Sequence, residues 1–221
     1  MPIDTAALLT LTQWLSPAFP VGAFSYSHGL EWAVETGDVT DAPSFQDWLA
    51  AILTDGAGRN DAILLVAAYR AHSTALPEID ALTEIDALAR ALAPSRERLM
   101  ETRQQGAAFA GTASDIWPVA LPGLTYPVAV GAAARAMGLP LAQTLAMYLH
   151  GFAGNLTSAA IRLIPLGQTT GQAALATMTP ICSQVAEQAQ AQTLDDLGSC
   201  AFMADIASMK HETQYSRLFQ S

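Results

Sequence analysis

Apolar positions along most of the chain recur at intervals of three and four residues, the spacing of one face of an α-helix. Five prolines stand ahead of such runs, and they are Pro43, Pro77, Pro94, Pro127 and Pro140. Proline is favoured in the first turn of a helix, so each of them marks a predicted helix start. Asn60–Asp61 resembles a cap and first turn before the run that begins at Ile63. Gly138 lies where a helix starting at Pro127 is expected to end.

Strand signals are few. No stretch alternates β-branched or aromatic residues with polar ones, no Asn-Gly pair occurs, and the single Asp-Gly pair, Asp55–Gly56, is not flanked by alternating strands that would mark a hairpin. Region 119–130 holds valine, leucine and tyrosine, but proline interrupts it, and we expect a loop followed by a helix start. The sequence therefore predicts an all-α fold: a single-domain bundle of about ten helices that spans residues 1–221.

Composition and charge exclude two classes of partner. The net charge is −10 and Lys210 is the only lysine, so no basic surface for nucleic acid is expected. The most apolar run, residues 127–149, is broken by Arg135, Gly138 and Pro140, so we expect no membrane span. No basic export signal opens the chain, which favours a cytoplasmic protein. With 51% hydrophobic residues, we expect the excess apolar surface to serve protein partners or a self-interface.

Recognised catalytic, nucleotide and metal motifs are missing from the sequence. The histidines are far apart, and they are His28, His72, His150 and His211. Three glycine-bearing segments each lack a residue that a hydrolase, dinucleotide or P-loop motif requires, and they are 25–29, 56–61 and 167–172. We therefore predict no catalytic residue, no metal ligand and no cofactor.

Two segments are richer in special residues than a plain core requires. Residues 16–31 read S-P-A-F-P-V-G-A-F-S-Y-S-H-G-L-E, in which prolines and glycines fix the backbone around aromatic anchors. Residues 95–106 read S-R-E-R-L-M-E-T-R-Q-Q-G and open a helix with mixed charges. For this second segment a solvated, self-paired helix face is favoured over a partner surface.

Two further segments lie nearer the end of the sequence. Residues 161–168 read I-R-L-I-P-L-G-Q, with Arg162 in an apolar helix end that Pro165 stops. Residues 209–221, hereafter the tail, read M-K-H-E-T-Q-Y-S-R-L-F-Q-S. Its Tyr215, Leu218 and Phe219 fall at i, i+3 and i+4, beside Arg217, which predicts a helical apolar stripe for a groove on a partner.

Together, the four segments resemble the signatures of the UreF family of urease accessory proteins, in the family's order. The second segment has its second arginine, Arg98, one residue early, and Gln220 stands where the family usually carries arginine. The resemblance implies an all-α homodimer that is not an enzyme. It also implies that the protein binds UreD (also called UreH), that the pair recruits the GTPase UreG and modulates its GTP hydrolysis, and that nickel is inserted into apo-urease.

The resemblance also suggests partner-binding residues. Glu31 and Arg162 match positions implicated in contacts towards UreG, and Gln168 closes the third signature. The tail matches the part that packs against UreD, and its candidate residues are His211, Glu212, Tyr215, Arg217, Leu218 and Phe219.

Two alternatives remain open at the level of sequence. One is a helical enzyme whose site forms only between helices, with Ser27, His28 and Glu31 as an acid-base group. The other is a metallochaperone that binds nickel directly through the dispersed histidines His28, His150 or His211.

Overall fold

The computed structural model describes residues 4–71 and 78–221, and it forms an all-α bundle. Ten α-helices lie in these residues, and no β-strand does. They are α1 (Thr5–Trp14), α2 (Leu30–Glu35), α3 (Ala42–Asp55), α4 (Ala57–Arg70), α5 (Glu78–Ala91), α6 (Arg96–Ile116), α7 (Tyr126–Ala136), α8 (Leu141–Leu163), α9 (Gly167–Ala189) and α10 (Phe202–His211). No described helix is both long and apolar enough to cross a bilayer. The predicted fold class is confirmed.

Most of the helix starts predicted from proline positions agree with the observed helices. Pro43 and Pro127 stand in the first turns of α3 and α7, and Pro140 directly precedes α8. Pro94 lies one residue before Ser95, whose hydroxyl caps α6 by accepting from the backbone of Arg98 at 3.1 Å. Pro77 falls outside the described residues. Gly138 follows the end of α7 with a φ of 64°, the left-handed conformation of a helix stop.

The expected cap at Asn60–Asp61 is wrong, because both residues lie inside α4, which begins at Ala57. Their polar groups serve tertiary contacts instead of the helix end. The Asn60 side-chain oxygen accepts from the backbone of Gly198 at 3.1 Å, and the Asp61 carboxylate accepts from the Tyr148 hydroxyl at 2.8 Å. Short polar side chains suit both caps and buried hydrogen bonds, and the sequence alone does not separate the two uses.

The core lies where α4 and α7 pack together and α8 covers them. Its largest fully buried side chains include Trp14, Phe45, Phe109, Ile63, Leu65, Leu145 and Leu149. The alanine-rich α7 allows close approach, and at Gly131 a Cβ would collide with the backbone carbonyl of Leu65. Small residues at this crossing therefore set the spacing of the central helices.

Gly106 fixes a second close approach, between α6 and the start of α7. A Cβ there would meet the carbonyl of Leu124 and would lie 2.7 Å from the backbone carbon of Thr125, so backbone rather than a flexible side chain would have to move. Gly111, on the exposed side of the same helix, faces open space, and a Cβ there would have no neighbouring atom within 4 Å.

We expect Gly106→Ala and Gly111→Ala to change the free energy of unfolding in opposite directions. Gly106→Ala should cost at least about 2 kcal/mol through backbone overpacking, and Gly111→Ala should gain about 0.5–1 kcal/mol from helix propensity. Urea denaturation followed by circular dichroism measures both. Equal effects of the two substitutions would show that the α6–α7 approach tolerates a methyl group.

Candidate functional site

The tail returns to the helices and fills a gap between α2 and α6. Gly29 opens α2 with a φ of 77°, and a Cβ there would collide with the backbone of Ser208, so α2 lies directly against α10. Glu31 in the first turn of α2 and Glu97 in the first turn of α6 both face His211 at the end of α10. Three distant parts of the sequence thus meet at one buried imidazole.

His211 bridges the two carboxylates. Its Nδ1 lies 2.7 Å from Glu97 Oε2, its Nε2 lies 3.2 Å from Glu31 Oε2, and the residue has no exposed surface. A neutral ring donates to only one of these carboxylates, whereas a ring protonated at both nitrogens donates to both. The carboxylates lie on opposite sides of the ring and cannot converge on one ion, and no group of three metal-ligating side chains occurs in the described ranges.

The same carboxylates hold the tail. Glu31 accepts the backbone N–H groups of Leu218 at 2.7 Å and Phe219 at 3.0 Å, and Glu97 accepts from Arg217 at 2.7 Å. We call Glu31, Glu97, His211 and Arg217 the bridging cluster. Glu31 and Glu97 are buried, and leaving a buried carboxylate without its partners costs about 3–5 kcal/mol. The loss is smaller for a partly exposed partner such as Arg217.

A second buried group, the Glu101 cluster, lies one helical turn further along α6 and consists of His28, Arg98, Glu101 and Ser221. Arg98 forms an ion pair with Glu101, Ser221 donates its hydroxyl to Glu101 Oε2 at 2.7 Å, and His28 Nδ1 lies 3.6 Å from Oε1. Burial alone would raise the pKa of Glu101, but Arg98 and His28 outweigh it and hold that pKa at about 2. Burial lowers the pKa of His28, helped by the Arg98 charge.

A cavity of about 50 Å³ with both polar and apolar walls adjoins the Glu101 cluster, and Asp61, Tyr126 and Tyr148 lie on those walls. Such a volume holds a few water molecules. His28 Nε2 and Arg98 Nε have no hydrogen-bond partner among the described residues and are buried at this cavity, so water satisfies them readily. Burial raises the pKa of Asp61 to about 6, against the opposing effects of Arg98 and the Tyr148 hydroxyl.

Two interpretations of the sequence are wrong here. The charges of segment 95–106 do not all form a solvated face, because Glu97, Arg98 and Glu101 are each less than a tenth exposed. The tail is not a helical stripe either, since α10 ends at His211. Carboxylate acceptors fix the tail backbone in turns, so Phe219 is buried while Tyr215 is fully exposed.

The remaining candidate residues lie at or near the surface. Arg162 is exposed, donates to the Phe24 carbonyl at 2.7 Å and lies with its guanidinium carbon 4.1 Å from the centre of the Phe219 ring. Gln168 is exposed in the first turn of α9. Glu212, half-buried, accepts from the backbone of Arg96 at 2.7 Å. Arg162 is therefore linked through Phe219 to the bridging cluster, and Gln168 makes no hydrogen bond with it within the described part of the chain.

Leu218 is anchored through its backbone N–H, which donates to Glu31, while its side chain is 76% exposed to solvent. Gln220 contributes its backbone N–H to the Ser25 carbonyl at 2.8 Å and is exposed, so this anchor is independent of the side chain that replaces the usual arginine.

Sequence reasoning missed the roles of Glu97 and Glu101. A signal was present: the two carboxylates stand four residues apart on one helix face, where like charges repel unless each has its own cation. His211 and Arg217 contact Glu97, and Arg98 forms an ion pair with Glu101. Asp61 carried no such signal, because its partner Tyr148 lies 87 residues away.

Asp61→Asn should change how stability depends on pH. The folded pKa of about 6 lies above the ordinary 3.8, so the folded state binds more protons between these values and stability falls as pH rises through that window. The whole shift corresponds to at most about 3 kcal/mol. Asn keeps an acceptor for Tyr148, so the variant should lose this fall and gain about 1–3 kcal/mol near pH 7.5.

Urea denaturation of wild type and Asp61→Asn near pH 4.5 and near pH 7.5 measures this effect. Asp47→Asn, which alters an exposed carboxylate on α3, serves as the control and should leave the pH profile unchanged. Parallel profiles for Asp61→Asn and wild type would contradict titration of Asp61 in the cavity.

Comparison with known proteins gives a consistent result along almost the whole chain. The UreF family model matches residues 39–179. A urease accessory protein UreF from Ruegeria pomeroyi is 53% identical over 97% of this chain and 96% of its own length. UreF proteins from Cereibacter sphaeroides (55% identical, 98% of this chain and 100% of the relative) and Rhodopseudomonas palustris (50%, 99% and 93%) agree. The chain belongs to the UreF family of urease accessory proteins.

Proposed function

We propose that this chain is a cytoplasmic assembly factor, itself without catalysis, that binds UreD and with it recruits the GTPase UreG for nickel insertion into apo-urease. The relatives named above are urease accessory proteins. The observation that carries the proposal is the bridging cluster, because it holds Tyr215 and Leu218 outward on a fixed backbone. An exposed aromatic residue on an ordered segment suits partner binding better than a core role.

The UreD surface in this proposal joins the tail to the outer face of α10. Large apolar side chains are exposed along that face, and they are Phe202, Met203, Ile206 and Met209. Three of them, at 202, 206 and 209, follow the helical spacing i, i+4 and i+7, so they form one stripe. Tyr215 and Leu218 are exposed in the residues that follow the helix, and exposed apolar side chains of this kind suit a protein interface.

The UreG surface in this proposal centres on Arg162, which is exposed beside Phe24, itself 68% exposed. Glu31 is enclosed, with two backbone donors and the His211 ring on its carboxylate, so it supports UreG recruitment by positioning the tail. The Phe24 carbonyl and the Phe219 ring hold the Arg162 guanidinium against this chain, which favours scaffolding and restraint of UreG over an arginine finger.

The enzyme alternative has a weaker basis. The cavity beside His28 is about 50 Å³, well below the roughly 300 Å³ of ordinary ligand pockets. His28 and Glu31 do not form one acid-base group either, since His28 faces Glu101 and Glu31 faces His211. A homodimer remains part of the proposal, with exposed apolar residues such as Leu9 and Ile116 available for the contact.

Co-purification with UreD tests the tail surface, and point variants serve better than truncation because Phe219 and Ser221 are buried. Tyr215→Ala combined with Leu218→Ala should lower UreD capture by at least about tenfold, as expected when interface anchors are removed. Ile79→Ala removes an equally exposed apolar side chain from α5 and should leave capture unchanged. Undiminished capture by the double variant, with its helix content intact, would refute the UreD surface.

Arg162→Ala should weaken UreG recruitment by the UreD-bound protein by about tenfold, since an exposed arginine at an interface contributes on the order of 1–2 kcal/mol. Loss of its stacking on Phe219 costs the fold only about 0.5–1 kcal/mol, so UreD capture and helix content should remain. Pull-down of UreG with Arg135→Ala as the matched control measures the effect, and equal UreG recovery with both variants counts against Arg162.

A further inference from the structure

The charged side chains at the start of helix α6 lie on two sides of the helix, one buried and one exposed. In its first two turns the carboxylates Glu97 and Glu101 point inward to the bridging and Glu101 clusters, with Arg98 beside them. Arg96 and Arg103 point outward, and both are exposed. Positions 96, 100, 103 and 107 share one outward stripe at helical spacing, and it contains no carboxylate.

This stripe borders a surface groove of about 580 Å³ between α6, the end of α5 and the loop before α7. The groove is lined by Arg90, Arg96 and Arg103, and its apolar floor includes Leu99, Met100 and Leu124. Three of the chain's ten lysine and arginine side chains thus gather at one groove of a protein whose net charge is −10. Bulk composition does not account for such a concentration.

The three arginines are held to different degrees. Arg90 is fixed by Asp86 at 2.6 Å and by the Gly123 carbonyl at 3.2 Å. The Arg96 side chain is 83% exposed and lies 3.6 Å from Glu212, a long contact. Arg103 has no ion pair or hydrogen bond with any residue that the structure describes. The groove therefore presents one arginine, Arg103, without an ion-pair partner among the described residues, and a second, Arg96, that is held only by a long contact.

We propose that this groove binds an acidic amphipathic helix of another protein. Arg96 and Arg103 stand seven residues apart on α6, about 10.5 Å along the helix axis. A partner helix lying alongside matches them with carboxylates at i and i+7, and its apolar residues at i+3 and i+4 lie over Met100 and Leu99. Complementary charge then fixes the register, and the apolar floor supplies the buried area.

Charge and spacing distinguish this occupant from two others. A nucleic acid is disfavoured because the rest of the protein is strongly acidic and the groove floor is apolar. A second copy of the chain offers the acidic helix α5, which exposes the carboxylates of Asp80 and Glu84 among the side chains that the structure describes. Seven residues beyond these stand Ala87 and Ala91, so α5 lacks the required pair.

A designed, fluorescein-labelled helical peptide with Glu at i and i+7 and Leu at i+3 and i+4 tests the proposal by fluorescence anisotropy on the full chain. Arg103→Gln should weaken binding by about tenfold, the effect of losing one desolvated charge contact. Arg135→Gln removes the same charge from an exposed site on α7 and should change affinity less than about twofold. Met100→Glu places a carboxylate on the apolar floor of the groove, where it faces the acidic peptide, and this variant should abolish peptide binding.

A charge exchange provides the second arm. Arg103→Glu should lose the acidic peptide and recover binding to the same peptide with Lys in place of the facing Glu, which a loss of folding would not allow. Four outcomes overturn the proposal. The first two are that the peptide does not bind the wild-type protein, or that Arg103→Gln and Arg135→Gln weaken peptide binding equally. The other two are that a scrambled peptide of the same composition binds with equal affinity, or that the protein self-associates and Arg103→Gln abolishes the self-association. The last would identify a second copy as the occupant.

Discussion

Two carboxylates buried on one face of α6 control the arrangement of this protein. Glu97 and Glu101 are removed from water four residues apart, and each repels the other unless positive charge or hydrogen-bond donors reach it. α6 itself supplies Arg98 and Gln105 to Glu101. The remaining partners lie far away in the sequence: His28 in the first signature segment, and His211, Arg217 and Ser221 in the tail. Compensation of these charges therefore holds the first signature segment and the tail in contact.

The same constraint makes the signature segments one structural unit. Ser27 donates its backbone N–H to the Ser221 carbonyl at 2.7 Å, and Glu31 holds the backbone of Leu218 and Phe219. Arg162 then covers Phe219 from the third segment. Residues that resemble separate partner contacts in the sequence are thus coupled, and a change at Glu31 alters the surface around Arg162 without any direct bond between the two.

The helices were predictable and the site was not, for different physical reasons. Helix starts follow from local rules, since Pro43, Pro127 and Gly138 act through their own backbone geometry. Burial of Glu97 depends on partners 114 and 120 residues away, which no local pattern contains. The tail has the periodicity of a helix, yet backbone donation to Glu31 outweighs the weak local preference and leaves Tyr215 and Phe219 on opposite sides.

The long separations in the bridging cluster impose an order on biosynthesis. Glu31 lies 180 residues before His211, and Glu97 lies 114 residues before it. While the ribosome is still making α7 to α9, both carboxylates have been synthesised and their shared imidazole has not. Because a buried uncompensated carboxylate is strongly unfavourable, α2 and α6 stay hydrated until α10 and the tail emerge. The bridging cluster therefore forms only after α10 and the tail have been synthesised.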